Sequence, residues 1–446
     1  MDRRSFLGAA AGASAFTIVP SRVIGGRGRT APSDKLNIAG IGAGGQGAWD
    51  LDCLSTQNIV ALADVDWDRA AETFQKYPAA KRYKDFRLML DKEHSHIDAV
   101  LVATPDHTHA VAALAAIQMK KHVYCEKPLA HTIHEARSIA AAASREGIAT
   151  QMGNQGMAFE GNRLIKEWIW DGAIGPVREV HVWSDRPTRL GTRDLWWAQG
   201  IERPADTPPA PAGLDYDLWL GPAPFRPYHP AYIPFSWRGW WDFGEGGLGD
   251  MGVHNIAPVW SALKLTAPDS VCASSTPVFP DTLPVASVVH YEFPARGNLP
   301  PVKLHWYDGG LLPPRPEELE NGRELPREDG ILFVGDKGKM LVDGWGGASP
   351  RLIPESRMQE YEMPEKTLPR SIGHHEEWIK ACREGTPTES HFGFAGPLTE
   401  MLLLGIISVR LGGKKLDWDA KKMKITNAPE ANGYLHYAYR DGWLSP

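Results

Sequence analysis

Residues 37–47 read NIAGIGAGGQG, an apolar run that passes directly into a glycine-rich turn. Gly42, Gly44 and Gly47 are spaced G-x-G-x-x-G. Lacking side chains, they permit a tight turn and let a pyrophosphate approach backbone N–H groups at the start of the following helix. Three glycines alone are weak evidence. Asp64 strengthens it, because it closes the apolar stretch IVALADVD about twenty residues on, where a carboxylate accepts the ribose hydroxyls of an adenosine and repels a 2′-phosphate. NAD is therefore expected in preference to NADP, with Asp66 the weaker ribose partner. The alternative is a fold of the same shape that has lost its cofactor.

Outward from this turn, short apolar runs at 35–41, 59–63, 99–103, 121–125 and 148–152 alternate with stretches at 68–76, 109–119 and 133–145. The latter repeat apolar residues every three or four positions, so they suit crossover helices on the faces of a parallel sheet. Residues 34–152 are thus read as an α/β Rossmann domain. The texture then changes, with frequent Trp and Pro and with strand-like runs at 177–183, 285–293, 302–307 and 331–342 that follow one another without helices between them. Consecutive strands of this kind predict an antiparallel sheet and an α+β second domain over 153–446. The Pro/Gly-rich segments at 203–213 and 309–322 read as loops within it.

A chain of 446 residues with 43% hydrophobic content is long enough for two cores. Its net charge of -6 and the absence of basic runs argue against nucleic acid and favour a small neutral or polar ligand. Cys53, Cys125, Cys272 and Cys382 are scattered and read as buried thiols, with no metal spacing. Arg3 and Arg4 precede a short, mildly apolar run free of acidic residues, which reads as a twin-arginine export signal and linker over 1–33. An ordinary secretory signal or an N-terminal arm is the alternative, and cleavage or retention is open. That run is too short to span a bilayer, and no later membrane span is expected.

VYCEKPLA (123–130), GGLGDMGVHNIAP (246–258) and ATPDHTHAVAALAA (103–116), together with the glycine turn, resemble the glucose-fructose oxidoreductase/inositol dehydrogenase/rhizopine-catabolism (Gfo/Idh/MocA) family. QMGNQG (151–156), LDYDLWLGPAP (214–224) and WRGWWDFGEGGLGDMG (237–252) resemble its exported members. The resemblance implies a second domain with a large sheet that serves homo-oligomerisation, and sugars or polyols as substrates. It also implies that Lys127, in Glu126-Lys127-Pro128, hydrogen-bonds the reacting hydroxyl, that Glu126 sits with the cofactor residues, and that Asp250 and His254 form the family's aspartate–histidine pair.

Chemistry gives these residue types an independent rationale. Removing hydride from a secondary alcohol needs a base for the hydroxyl proton, and histidine suits neutral pH. A nearby ammonium stabilises the developing oxyanion. If the segment after Gly249 is helical, the four-residue spacing places Asp250 and His254 on one face. A capping aspartate followed by a buried histidine is the other reading. Thr104, Pro105 and His109, after the run at 99–103, are expected to line the nicotinamide side. His107 and His109 lack a third metal ligand, and His374-His375 reads as a helix cap or domain contact, so no metal is assigned. Most tryptophans are expected in the core, with Trp240 or Trp241 and Gln155 the candidates to meet substrate.

Export raises a constraint, since a twin-arginine route carries folded protein and NAD must then travel tightly bound and be regenerated in place. The expected function is an exported, periplasmic NAD-dependent oxidoreductase acting on a sugar or glycoside hydroxyl. One alternative is an NAD-dependent glycosidase working by oxidation, elimination, water addition and reduction, as the resemblance also allows. A non-catalytic NAD/sugar-binding sensor is the other.

Overall fold

β1 (Asn37–Ile41) lies inside a six-stranded parallel sheet with β2 (Asn58–Ala63), β3 (Lys81–Tyr83), β4 (Ala99–Val102), β5 (His122–Glu126) and β6 (Thr150–Gly153), in the order β3-β2-β1-β4-β5-β6. A computed structural model describes residues 34–190, 192 and 194–445, so Arg3, Arg4 and the export reading lie outside the described residues. The order reverses direction between β1 and β4, which opens a crevice at the carboxyl ends of those two strands. Gly42 follows β1 and Thr104 follows β4, so both sit at its mouth. The helix expected over 68–76 is shorter, Ala71–Lys76, and β3 and the Phe86–Glu93 helix were not anticipated. β3 is three residues long, and its sequence KRY has no apolar alternation to reveal it.

The second domain holds a nine-stranded sheet in the order β13-β12-β11-β7-β10-β9-β8-β14-β15. Its strands are β7 (Val177–Ser184), β8 (Ser270–Ser275), β9 (Ser287–Phe293), β10 (Val302–Tyr307), β11 (Asp329–Gly335), β12 (Gly338–Asp343), β13 (Ser349–Ile353), β14 (Leu416–Asp419) and β15 (Lys424–Ile425). Among the described strand pairs of this sheet only β7–β10 is parallel, and the rest are antiparallel. The single run expected at 331–342 is instead the hairpin β11–β12, folded back at Asp336-Lys337 with Gly335 facing Gly338.

The Phe392–Arg410 helix is apolar on nearly every side because nearly every side is covered, by the Ile133–Glu146 helix and by β8 and β9. Contrary to the sequence expectation, its length and composition would suffice to cross a membrane, yet most of it is buried in the protein. Glu400 within it receives the Arg137 guanidinium at 2.6 Å, a charge pair between the domains. One apolar cluster runs from Val100, Val123 and Ile139 to Leu402, Val289, Leu304 and Phe333, so the two domains share a core. All four cysteines are free thiols, but only Cys125 is buried; Cys53, Cys272 and Cys382 are half-buried.

Candidate active site

A cleft of about 780 Å³ begins at the glycine turn and continues into the second domain. Gly42 has φ +84°, and a Cβ there would lie 2.5 Å from the Ala103 carbonyl oxygen; one on Gly47 would lie 2.0 Å from the Gly42 carbonyl oxygen. Those collisions are with backbone, so the turn itself demands both glycines. Gly44 differs, since its Cβ would meet Arg69 alone, the side-chain Cγ at 2.8 Å and the carbonyl oxygen at 3.3 Å, with no contact as short as those at Gly42 and Gly47. Asp64 Oδ2 accepts the amides of Ala43 (2.7 Å) and Gly44 (3.0 Å), while Oδ1 accepts that of Asp66 (2.9 Å). Burial raises the Asp64 carboxyl, and these amides oppose the rise. The carboxylate thus braces the turn as well as facing the cleft, and Asp66 also lines it.

Farther along, Lys127 projects from the end of β5 toward the second domain. Its Nζ donates to Asp250 Oδ1 (2.7 Å) and to the Asp250 carbonyl oxygen (2.8 Å). Two of the three ammonium hydrogens are thereby used, which leaves a third for a ligand oxygen. Arg238 Nε donates to the same Oδ1 at 3.0 Å, and its guanidinium stacks on Phe235 and Trp237 at 4.0 and 4.2 Å. Burial alone would raise Asp250, but the two cations hold it well below the usual carboxylate range.

Asp250 belongs to a π-helical turn, Leu248–Gly252, that leads into the Val253–Ala262 helix carrying His254. Both side chains reach the Lys127 neighbourhood through this wider turn rather than along a regular α-helix. His254 lines the cleft edge-on to Trp345, with ring centroids 5.2 Å apart. Its Nδ1 is buried without a hydrogen-bond partner. Burial and then the Lys127 charge push His254 down to about 3, so its imidazole is neutral and able to accept a proton.

Glu126 Oε1 accepts from Gln155 Nε2 at 2.7 Å, and Gln155 also reaches the Tyr124 hydroxyl at 3.2 Å. Burial, aided by nearby Asp50, pushes Glu126 up to about 8. Glu126, Lys127, Gln155, Thr104 and Pro105 all line the cleft, and Thr104 Oγ1 is a buried oxygen without a partner. His375 and His374, a domain contact, stand behind them: His375 Nε2 lies 2.9 Å from Asp50 Oδ1 and its ring stacks on Tyr124.

Three expected residues are placed elsewhere. His109 is fully buried, with Nδ1 2.7 Å from the Pro128 carbonyl and Nε2 2.8 Å from that of Thr104, so it braces the loops beside the cleft and does not line it. Trp240 and Trp241 are buried, and their indole N–H groups donate to the carbonyls of Ala231 and Phe279; Trp240 packs with Tyr232, Trp237 and Phe243, and Trp241 belongs to the main core. Conversely, Arg69, Arg238, Trp345 and Trp443 line the cleft and were missed. Only Arg238 had a usable signal, a lone cation within the aromatic run FSWRGWW.

The cradle suits a dinucleotide on the structure's own terms: two glycines pressed on backbone, a carboxylate at the second strand, and unpartnered polar atoms on Thr104 and His254. Gly42, Gly44, Gly47, Asp64 and Thr104 are the residues that would hold it.

The matches to known proteins agree with this architecture. Residues 35–154 match the oxidoreductase family described as an NAD-binding Rossmann fold, and residues 163–293 match its C-terminal alpha/beta domain. Levoglucosan dehydrogenase of Pseudarthrobacter phenanthrenivorans is 30% identical over 155 residues, 32% of this chain and 39% of that protein. Myo-inositol 2-dehydrogenase of Thermotoga maritima is 27% identical over 154 residues, 34% of this chain and 46% of that protein. The matched segment therefore spans less than half the length of these relatives. In three dimensions, the WlbA dehydrogenase from Bordetella pertussis, solved with NADH and UDP-GlcNAcA, superposes with a TM-score of 0.58 at 16% identity, covering 86% of this chain and 99% of that one. A levoglucosan dehydrogenase solved with NADH gives 0.56 at 18% identity, covering 86% and 98%. With both family regions matched in order, and with the glycine turn and the second domain built as described, the chain belongs to the Gfo/Idh/MocA oxidoreductase family.

Proposed function

We propose that this protein is an exported oxidoreductase that moves hydride between a sugar or glycoside hydroxyl and a tightly bound NAD. The observation that carries the reading is the convergence of Lys127 Nζ and the neutral His254 ring on one cleft that is continuous with the glycine turn. When bound, the nicotinamide ring supplies a carbon that takes up or returns hydride. His254 takes the proton of the substrate hydroxyl on its imidazole, and the free N–H of Lys127 stabilises the oxygen as charge develops there. Asp250 fixes Lys127 and offsets part of the local positive charge. Trp345, held by a loop whose Gly346 amide donates to Asn255 Oδ1 at 2.9 Å, offers an apolar face to a sugar ring.

Preference for NAD over NADP is supported by Asp64, and retention by Trp443, which lines the cleft beside Phe86. Export rests on Arg3 and Arg4, and a homo-oligomer through the large sheet completes the proposal.

The test starts from protein purified without added nucleotide. Heat denaturation should release NAD, and a panel of sugars and aryl glycosides should reduce it in wild type but not in His254→Ala or Lys127→Met. Keto product that needs a second carbonyl acceptor supports the proposal. Aglycone release with no lasting keto product would transfer the reading to the glycosidase. Variants indistinguishable from wild type with the native ligand would leave a sensor. Fractionation of cells making wild type and an Arg3→Lys/Arg4→Lys variant tests export.

A further inference from the structure

The large sheet carries a second polar cluster, whose residues do not line the cleft. On one face, His181 of β7, His305 of β10, His290 of β9 and Cys272 of β8 form a cross-strand row, since His305 pairs with His181 and with His290, and His290 pairs with Cys272. Glu179 precedes His181 by two residues and so shares that face. Its Oε1 lies 3.0 Å from His305 Nε2 and 3.4 Å from His181 Nε2, and the three ligand atoms all fall within 4.8 Å of one another. We propose that Glu179, His181 and His305 form a binding site for a divalent transition-metal ion of the zinc type.

The spacing fits the ion. With metal–ligand bonds of about 2.0–2.1 Å, the edge of a coordination tetrahedron is about 3.3 Å. The two nitrogen–oxygen separations bracket that value. The far nitrogens are also furnished as metal-bound imidazoles require: His181 Nδ1 is 3.0 Å from the Tyr307 hydroxyl, and His305 Nδ1 is 2.6 Å from His290 Nδ1. With protons on those Nδ1 atoms, two Nε2 lone pairs and a carboxylate oxygen converge on one point, and three acceptors facing each other call for a cation. Protons on both Nε2 atoms would satisfy Glu179 instead, so metal binding selects the tautomer that carries its proton on Nδ1. Three protein ligands leave a fourth position for water.

Its place in the fold gives the ion a structural task. β7–β10 is the parallel junction of the sheet, and parallel pairing is slightly the weaker kind. Two ligands from β7 and one from β10 would clip that junction. None of the three lines the cleft.

The test uses the full chain made without a histidine tag, stripped by chelator and titrated with Zn²⁺ by calorimetry and with Co²⁺ by visible absorption. Wild type should bind one ion per chain, show the intense ligand-field bands of four-coordinate Co²⁺, and melt at a higher temperature with metal. His305→Ala and Glu179→Gln should abolish the bands. His290→Ala should keep them and weaken affinity about 10–100-fold. Lys127→Met, altered only in the cleft, should bind as wild type. Stripped wild type that takes up no stoichiometric Zn²⁺ overturns the proposal, as does folded His305→Ala that binds like wild type.

Discussion

Lys127 Nζ donates to two oxygens of Asp250, the carboxylate Oδ1 at 2.7 Å and the backbone carbonyl at 2.8 Å, and so pins the end of β5 to the π-helical turn before His254. The pair is an inter-domain strut as well as part of the site. Asp250→Asn keeps the shape but leaves the Lys127 and Arg238 cations side by side and nearly buried. Breaking a buried pair in this way should cost about 3–5 kcal/mol. Denaturant unfolding should show the loss, together with reduced turnover; an unchanged midpoint would refute the strut.

Gly47→Ala and Gly44→Ala should separate backbone demand from ligand demand. The first drives a Cβ against a carbonyl that has no room to move, whereas the second displaces only Arg69. Gly47→Ala should therefore lose stability and bound nucleotide together, while Gly44→Ala folds normally and binds less NAD. Nucleotide per chain by mass spectrometry and thermal melts check both. Equal melting losses would contradict the assignment.

The pH dependence follows from His254. Its pKa is pushed down to about 3, so the ring is neutral, the form a base needs, at every pH above that and protonates only as pH falls through it. The acid limb of kcat/KM should lie well below the ordinary histidine value of about 6.5. A limb near 6.5 that vanishes in His254→Gln would show that the ring is not desolvated as described.

Trp443 stacks on Arg87 at 4.3 Å, sits beside Phe86 and lines the cleft. Aromatic stacking on a base contributes about 1–3 kcal/mol. Trp443→Ala should shorten NAD retention by about tenfold or more, measured by exchange with labelled NAD, without slowing hydride transfer at saturating cofactor.

Trp240 and Trp345 provide opposite expectations. Trp240→Ala should cost about 3–5 kcal/mol of stability and leave KM unaltered below the melting transition. Trp345→Ala, at a half-exposed site against His254, should raise the sugar KM with little change in melting. The reverse pattern would restore the sugar-stacking role to Trp240.

What was legible in the sequence was whatever follows a fixed local spacing. The glycine turn and Asp64 are joined by one strand–helix–strand unit, so their offset is written in the chain. Lys127 and His254 were found through motifs whose neighbours identify them. Arg238 and Trp345 reach the cleft from short 3₁₀ turns, Ser236–Gly239 and Trp345–Gly347, and nothing periodic marks them. His109 misled for the opposite reason: a histidine just after a Rossmann strand can face the ligand or turn inward to two carbonyls, and residue type alone does not decide. The division of 331–342 into two strands was hidden because Asp336-Lys337 looks like a polar step within one alternating strand.

The Phe392–Arg410 helix covers the Ile133–Glu146 helix, and Ser390 and Thr388 hydrogen-bond the β6 edge at Met152 and Thr150. A ribosome finishes β6 long before it makes either. At about 5–20 residues per second, the first domain waits on the order of tens of seconds with one apolar face and one strand edge bare. The face and edge that residues 388–410 cover thus stay open until nearly the whole polypeptide has left the tunnel.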